Sequence, residues 1–79
     1  MTTEQILNFV TEKGWVFACN DENDAAAQTL VAAGKVKNIR EIFPTFPWGF
    51  TYVKPDCQWQ DLGNFFNPQF LSEVGYEFN

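Results

Sequence analysis

An uncharged aromatic stretch, FPTFPWGF at residues 43–50, most constrains how this chain can fold. It begins a second half that holds eleven of the fourteen aromatic residues in the 79-residue chain. A chain this short buries only roughly 60–65% of its unfolded surface, so its stability depends on a dense core. Each buried ring contributes on the order of 2–3 kcal/mol. The sequence therefore predicts a single domain, residues 1–79, whose second half is built around rings.

The charge balance is acidic, with ten Asp or Glu residues against five Lys or Arg and no His. From Pro55 onward there are four acids and no base. Such a field repels nucleic-acid phosphates and anionic lipids, whereas it steers a basic protein toward the chain. We therefore expect a protein partner of unknown identity, we expect a basic surface to be the favoured kind, and we expect nucleic acid to be disfavoured.

Nothing in the sequence indicates export or membrane insertion. No run approaches the ~20 apolar residues of a membrane span. The first residues lack the positive and apolar regions of a signal peptide. We therefore expect a cytoplasmic protein without a membrane partner, in which Cys19 and Cys57 are reduced. Cys19 is expected to be a small buried residue of a strand, and Cys57 to lie in a loop.

Three helices are predicted from their end signals. Thr2 and Gln5 have the spacing of a capping box, and Gly14 can end a helix over about 3–13. Asp21 can cap an Ala-rich helix over about 22–33. An Asn followed by Pro begins a third helix over about 68–74.

Strand formers fill the intervals between these helices. The segments 15–19 and 49–54 alternate as strands do, 36–43 is interpreted as a strand despite partial helical spacing, and 76–78 can form a short edge strand. The predicted class is α+β, with an N-terminal helix followed by a ferredoxin-like βαββα(β) arrangement. The alternative is a winged-helix-like domain, with the helices at 3–13 and 22–33 and a wing at 36–54.

The sequence offers little for catalysis. Without His, and with a single Ser at position 72, Ser/His and Cys/His nucleophiles are excluded, and so is the commonest metal ligand. The acidic run NDEND at 20–24 lacks the Gly and Glu positions of a calcium loop and is explained by helix capping. We therefore expect a non-enzymatic protein with no cofactor and no metal.

Two segments, VFACN at 16–20 and WGFTYVKP at 48–55, partly resemble the two strand motifs of the RNA recognition motif family. The resemblance implies base stacking by Phe17, Phe50 and Tyr52. Phosphate contacts would come from a group of basic residues, Lys35, Lys37 and Arg40. Trp48, Thr51 and Pro55 depart from the family's pattern. Single-stranded nucleic-acid binding is therefore an alternative function and not the leading one.

The predicted strands place Trp15 and Phe17 on one face, and Trp48, Phe50 and Tyr52 likewise on one face. Because soluble monomers rarely leave such a surface bare, we expect the helix at 3–13 to cover it. Phe46 then remains in a short proline-stiffened loop, exposed to solvent.

The leading hypothesis is a small acidic protein–protein interaction module, an inhibitor or adaptor of a larger complex, such as those that phages or mobile elements encode. Aromatic side chains dominate interface hot spots, and a loop stiffened by proline loses little entropy on binding. The candidate partner-binding residues are Phe46, Trp48, Asp56, Trp59 and Asp61. A further alternative is a structural component of a multi-chain assembly, in which the rings would be shared between chains.

Overall fold

The computed structural model describes residues 1–75. Within that range the chain forms α1, β1, α2, β2, a 3₁₀ helix, β3, a second 3₁₀ helix and α3. Their bounds are, in this order, Thr3–Lys13, Trp15–Phe17, Asp21–Ala32, Lys37–Asn38, Ile39–Glu41, Thr51–Val53, Trp59–Asn64 and Pro68–Glu73. The coarse prediction of a small α+β domain is confirmed.

The predicted first helix is confirmed together with both of its end signals. The Thr2 hydroxyl accepts from the Gln5 backbone N–H at 3.1 Å, and the Gln5 side chain accepts from the Thr2 N–H at 2.9 Å. Gly14 ends the helix at φ 91°, a left-handed conformation that glycine adopts without strain. The α1 axis is thus fixed at both ends by local sequence.

The second helix begins one residue earlier than predicted, and its cap is a different residue. Asn20, not Asp21, takes the extended N-cap conformation, and its Oδ1 accepts from the Asn23 N–H at 2.8 Å. The acids at the first helical positions complement the positive end of the helix dipole instead. The third helix begins at Pro68 after an Asn67 cap, as predicted.

The sheet is antiparallel, with β3 in the centre between β1 and β2. Val16 lies opposite Tyr52, and Asn38 lies opposite Tyr52 from the other side. Because β3 runs antiparallel to both edges, β1 and β2 are parallel to each other, so β1, α2 and β2 form a split β-α-β unit. The fourth strand predicted at 76–78 lies outside the described residues, and the ferredoxin-like topology stays a prediction.

The predicted strand over 36–43 is largely wrong. Only Lys37–Asn38 pairs with the sheet, and a 3₁₀ helix follows at once. The Asn38 side-chain oxygen accepts from the Arg40 N–H at 2.9 Å, a local bond that turns the chain out of the sheet. The β-branched residues of this segment are therefore buried without forming a long strand.

One face of the sheet is covered by two helices. Ile6 and Val10 of α1 pack with Ala27 and Leu30 of α2 against Val16, Tyr52 and their neighbours. The prediction that α1 covers the aromatic face is wrong, because its buried side chains, Ile6 and Val10, pack beside α2 on the opposite face. Phe9 of α1 meets the ring of Trp15 but stays exposed. Tyr52 also lies on this helical face, so it does not share a face with Phe17.

The other face is covered by the C-terminal segment. A second cluster joins Ile39, Phe43, Phe46, Val53 and Cys57 to Leu62 of the second 3₁₀ helix and Leu71 of α3. Phe46, predicted to be an exposed loop residue, is 0% exposed and is a centre of this cluster. Its ring contacts those of Phe43, Trp48, Phe66 and Phe70, at centroid distances of 5.3–6.0 Å.

Thr51, at the start of β3, is 0% exposed, and its hydroxyl has no hydrogen-bond partner among residues 1–75. An unsatisfied buried hydroxyl costs free energy that a methyl group of similar shape does not. We predict that Thr51→Val raises the free energy of unfolding by about 1 kcal/mol in urea titrations. Thr45→Val serves as the control in which no gain is expected, because Thr45 is exposed and its hydroxyl is satisfied by the Val74 carbonyl at 3.4 Å. A loss of stability in Thr51→Val would contradict this account.

Candidate functional site: an aromatic band beside the Trp48 loop

Seven partly exposed rings form a continuous surface that begins at Phe9 of α1 and extends past the edge of the sheet onto the rings beside the C-terminal segment. We call this surface the aromatic band; its members are Phe9, Trp15, Phe17, Trp48, Phe50, Phe66 and Phe70. Each ring has its centroid within 6.4 Å of another member's. The band runs from α1, across the edge strand β1, to the loop before β3 and to α3.

Trp48 is the most prominent ring of the band near its α3 end. It is 37% exposed. One face of its indole stacks on Phe70 at 4.8 Å and 14°, and it meets Phe17 edge-on at 5.3 Å. The buried ring of Phe46 supports it from inside at 5.8 Å. Trp48 is thus presented to solvent in an orientation fixed by its neighbours.

The segment 44–50, which we call the Trp48 loop, is hydrogen-bonded to the last residue of β2 and to the 3₁₀ helix that follows. Arg40 Nε donates to the Phe46 carbonyl at 2.8 Å, and its Nη2 donates to the Pro47 carbonyl at 3.2 Å. Asn38 Nδ2 donates to the Gly49 carbonyl at 2.6 Å. Three backbone carbonyls of the loop are therefore satisfied by two side chains.

The five predicted partner-binding residues do not form one site. Phe46 is buried, which corrects its prediction as an exposed anchor, and Trp48 lies on the aromatic band. Trp59, 37% exposed, lines a separate cavity of about 230 Å³ together with Asp56 and Lys37. Asp61 Oδ2 accepts from the Gln58 N–H at 2.9 Å, so this carboxylate caps the second 3₁₀ helix.

The residues of the nucleic-acid alternative are likewise divided. Phe17 and Phe50 lie on the band, 6.0 Å apart, but Tyr52 is buried on the opposite face. The Arg40 guanidinium is bonded to loop carbonyls. Lys35 is exposed and Lys37 is half-buried. The three-ring stacking platform that the resemblance implied is therefore not assembled.

A cleft of about 400 Å³ opens where the band meets the start of α2. Phe50 belongs to both the band and the cleft, whose polar walls include Asp21, Asp24 and Arg40. Cys19 also lines this cleft and is exposed, which corrects its prediction as a buried residue. Cys57, by contrast, is buried, and burial raises the pKa of its thiol.

Four members of the band were missed as site residues by sequence reasoning, namely Phe9, Trp15, Phe66 and Phe70. The last two are four positions apart, but they precede and enter α3, so helical spacing alone does not group them. Phe66 contacts Trp15 of β1, and Phe70 contacts Phe66 and stacks on Trp48, so their place in the band depends on how the C-terminal segment crosses the sheet. The sequence signals for such a surface were the density of aromatic residues in the second half and the shared strand face of Trp15 and Phe17.

Across residues 1–75, no group of three His, Cys, Asp or Glu side chains is placed to hold a metal ion. In the same part of the chain, no helix has the length and apolar character needed to cross a membrane. Comparison of the chain with family models, curated proteins and solved structures found no match.

Tyr52 generates a pH prediction because its hydroxyl donates to Asp24 Oδ1 at 2.6 Å and accepts from Gln28 Nε2 at 2.7 Å. Burial, followed by the hydrogen bond to Asp24 and its negative charge, raises the pKa of Tyr52 from 10.0 to about 12. A raised pKa means that the folded state keeps its proton longer than the unfolded state. The stabilisation is complete below pH ~10 and is lost as the pH rises toward ~12.

We therefore predict that the free energy of unfolding falls between pH 10 and 12, and that Tyr52→Phe falls less over this interval. Guanidinium titrations at several pH values measure the difference between the two proteins. In spectrophotometric titration of the folded protein, one tyrosinate should form near pH 12 and should disappear in Tyr52→Phe. Ionisation of Tyr52 near pH 10 would contradict the buried hydrogen bond.

Proposed function

We propose that this protein is a non-enzymatic protein–protein interaction module, acting as an inhibitor or adaptor, that binds a basic protein surface through the aromatic band. The observation that carries the proposal is the continuity of the band: seven rings from four parts of the chain touch one another and all keep some exposure. Contiguous apolar surface of this kind marks interaction sites, whereas scattered exposed rings do not.

The chemistry of the band suits a protein partner. Trp is among the residues that contribute most to binding energy when an interface becomes dry. Trp48 is already stacked on Phe70 and supported by Phe46, so little side-chain entropy remains to be lost on binding. The band thus offers a preorganised apolar centre, with Trp48 as its main anchor.

Acidic side chains lie near two rings of the band, Phe70 and Phe50. These acids favour a basic partner. Glu73 follows Phe70 by three residues in α3, so the two lie on neighbouring positions of the helix surface. Phe50 shares its cleft with Asp21 and Asp24. With a net charge of −5, the chain would steer basic surfaces toward these rings.

Single-stranded nucleic acid is the less favoured candidate. Base stacking on the band would use Phe17 and Phe50 without Tyr52, and phosphate binding would lack a free guanidinium from Arg40. The net negative charge opposes phosphate binding as well. For these reasons we propose a protein partner and include nucleic acid as an outcome of the test.

We predict that Trp48→Ala abolishes binding and that Trp59→Ala preserves it. The two tryptophans are equally exposed, at 37%, but only Trp48 lies on the band, so Trp59→Ala is a matched control. Immobilised wild-type and variant proteins are compared by affinity capture from nuclease-treated cell extract with quantitative mass spectrometry. A captured protein is then purified and its direct binding is measured at increasing salt, which should weaken a basic partner's affinity.

Circular dichroism and thermal unfolding show that each variant is folded before it is compared. The proposal is wrong if Trp48→Ala retains the same proteins as the wild type. It is also wrong if nuclease treatment removes all specific capture and an oligonucleotide binds the band instead. Phe46→Ala is unsuitable as a binding variant, because removing a fully buried ring typically costs about 3–5 kcal/mol of stability.

A further inference from the structure

The Arg40 guanidinium forms its hydrogen bonds with the backbone of the Trp48 loop. Arg40 is exposed, yet two of its guanidinium nitrogens donate to backbone carbonyls of Phe46 and Pro47 rather than projecting into solvent. These carbonyls immediately precede Trp48 in the chain. The only arginine of the sequence therefore bonds to the backbone on the N-terminal side of the proposed anchor.

Gly49, on the other side of Trp48, allows the guanidinium to approach. A Cβ atom at Gly49 would meet Arg40 Nη1 at 2.6 Å and Cζ at 2.8 Å, both too close for an undisturbed contact. Gly49 is not among the glycines with positive φ, so its backbone conformation alone does not require glycine. The space above its Cα is what the packing of Arg40 requires.

We propose that Arg40 is a positioning residue for partner binding: with Gly49 and Asn38 it forms a clamp that fixes the Trp48 loop so that the indole stays on Phe70. This inference rests on the proposed function, since it assigns a role to Arg40 through the anchor Trp48. Asn38 completes the clamp by donating to the Gly49 carbonyl at 2.6 Å. Arg40 itself does not contact the partner in this account.

A lysine could not replace Arg40 in the clamp. The planar guanidinium presents several donors in a rigid fork, so it reaches two adjacent carbonyls at once, at 2.8 and 3.2 Å. A lysine ammonium is a compact charge on a flexible stem and holds no fixed plane against Gly49. Preservation of charge in Arg40→Lys therefore separates positioning from electrostatic attraction.

Of the two exposed tryptophans, only Trp48 belongs to the loop that the clamp holds. The Trp48 loop has Phe46 anchored in the core on one side and β3 beginning at Thr51 on the other. The clamp contacts the backbone between these anchors. Loss of the clamp should therefore leave both anchors in place while the indole of Trp48 loses its fixed stacking on Phe70.

The test uses two routes to the same defect. Arg40→Lys changes the fork and keeps the charge, whereas Gly49→Ala keeps Arg40 and displaces its guanidinium. We expect both variants to remain folded, to lose the nuclear Overhauser contacts between the Trp48 and Phe70 rings, and to bind the protein captured through Trp48 about tenfold more weakly, equivalent to about 1.4 kcal/mol. Lys54→Arg, at an exposed position, should change neither readout.

Unchanged ring contacts and unchanged affinity in Arg40→Lys would overturn the inference. So would a loss of affinity in Arg40→Lys with intact Trp48–Phe70 contacts, because Arg40 would then contact the partner directly. If a variant is unfolded, Arg40→Gln provides the same ring-contact measurement with a single remaining donor group. If Trp48→Ala itself retains the partner, the proposed function fails, whereas retention by Arg40→Lys alone overturns only the clamp.

Discussion

The burial of the Phe46 ring is the constraint on which the second half of the structure depends. The three strands are two or three residues long, too short to hold a sheet together through backbone hydrogen bonds alone. Phe46 contacts rings from its own loop, from the segment before α3 and from α3 itself. One side chain thus joins the Trp48 loop to the C-terminal segment across the sheet face.

This arrangement explains why the aromatic band exists. With α1 and α2 together on one face, the opposite face must be covered by the C-terminal segment, which contributes one short helix and one 3₁₀ helix. The covering segment buries the centre of this face around Phe46 and Val53. Rings at the edges of this covered area, such as Phe17, Phe66 and Trp48, remain partly exposed to solvent.

Local signals predicted the helices well and the tertiary arrangement poorly. The capping box at Thr2 and the proline after Asn67 are local, because each uses bonds within one helical turn. The faces of β3 were predicted wrongly because the alternation was extended back to Trp48, whereas the strand begins at Thr51. A strand of three residues gives too little periodicity to fix which side each ring occupies.

Trp48 and Phe46 were both predicted to be partner-binding anchors, but only Trp48 is exposed and Phe46 is buried. Both are aromatic residues beside a proline, and composition does not distinguish them. Their difference arises from the long-range contacts of Phe46 with Phe66 and Phe70, which no local pattern encodes. The hydrogen bonds of Arg40 were equally hidden, because its acceptors are backbone carbonyls six and seven residues away.

Solvent paramagnetic relaxation enhancement of the aromatic protons, with a soluble uncharged gadolinium chelate, tests the central claim most directly. The account predicts strong enhancement at Trp48 and Phe9, intermediate values at Phe17, Phe50 and Phe66, and almost none at Phe46 and Tyr52. This measurement needs neither a partner nor a variant. Strong enhancement at Phe46, or protection of Trp48, would contradict both the aromatic band and the interaction surface proposed from it.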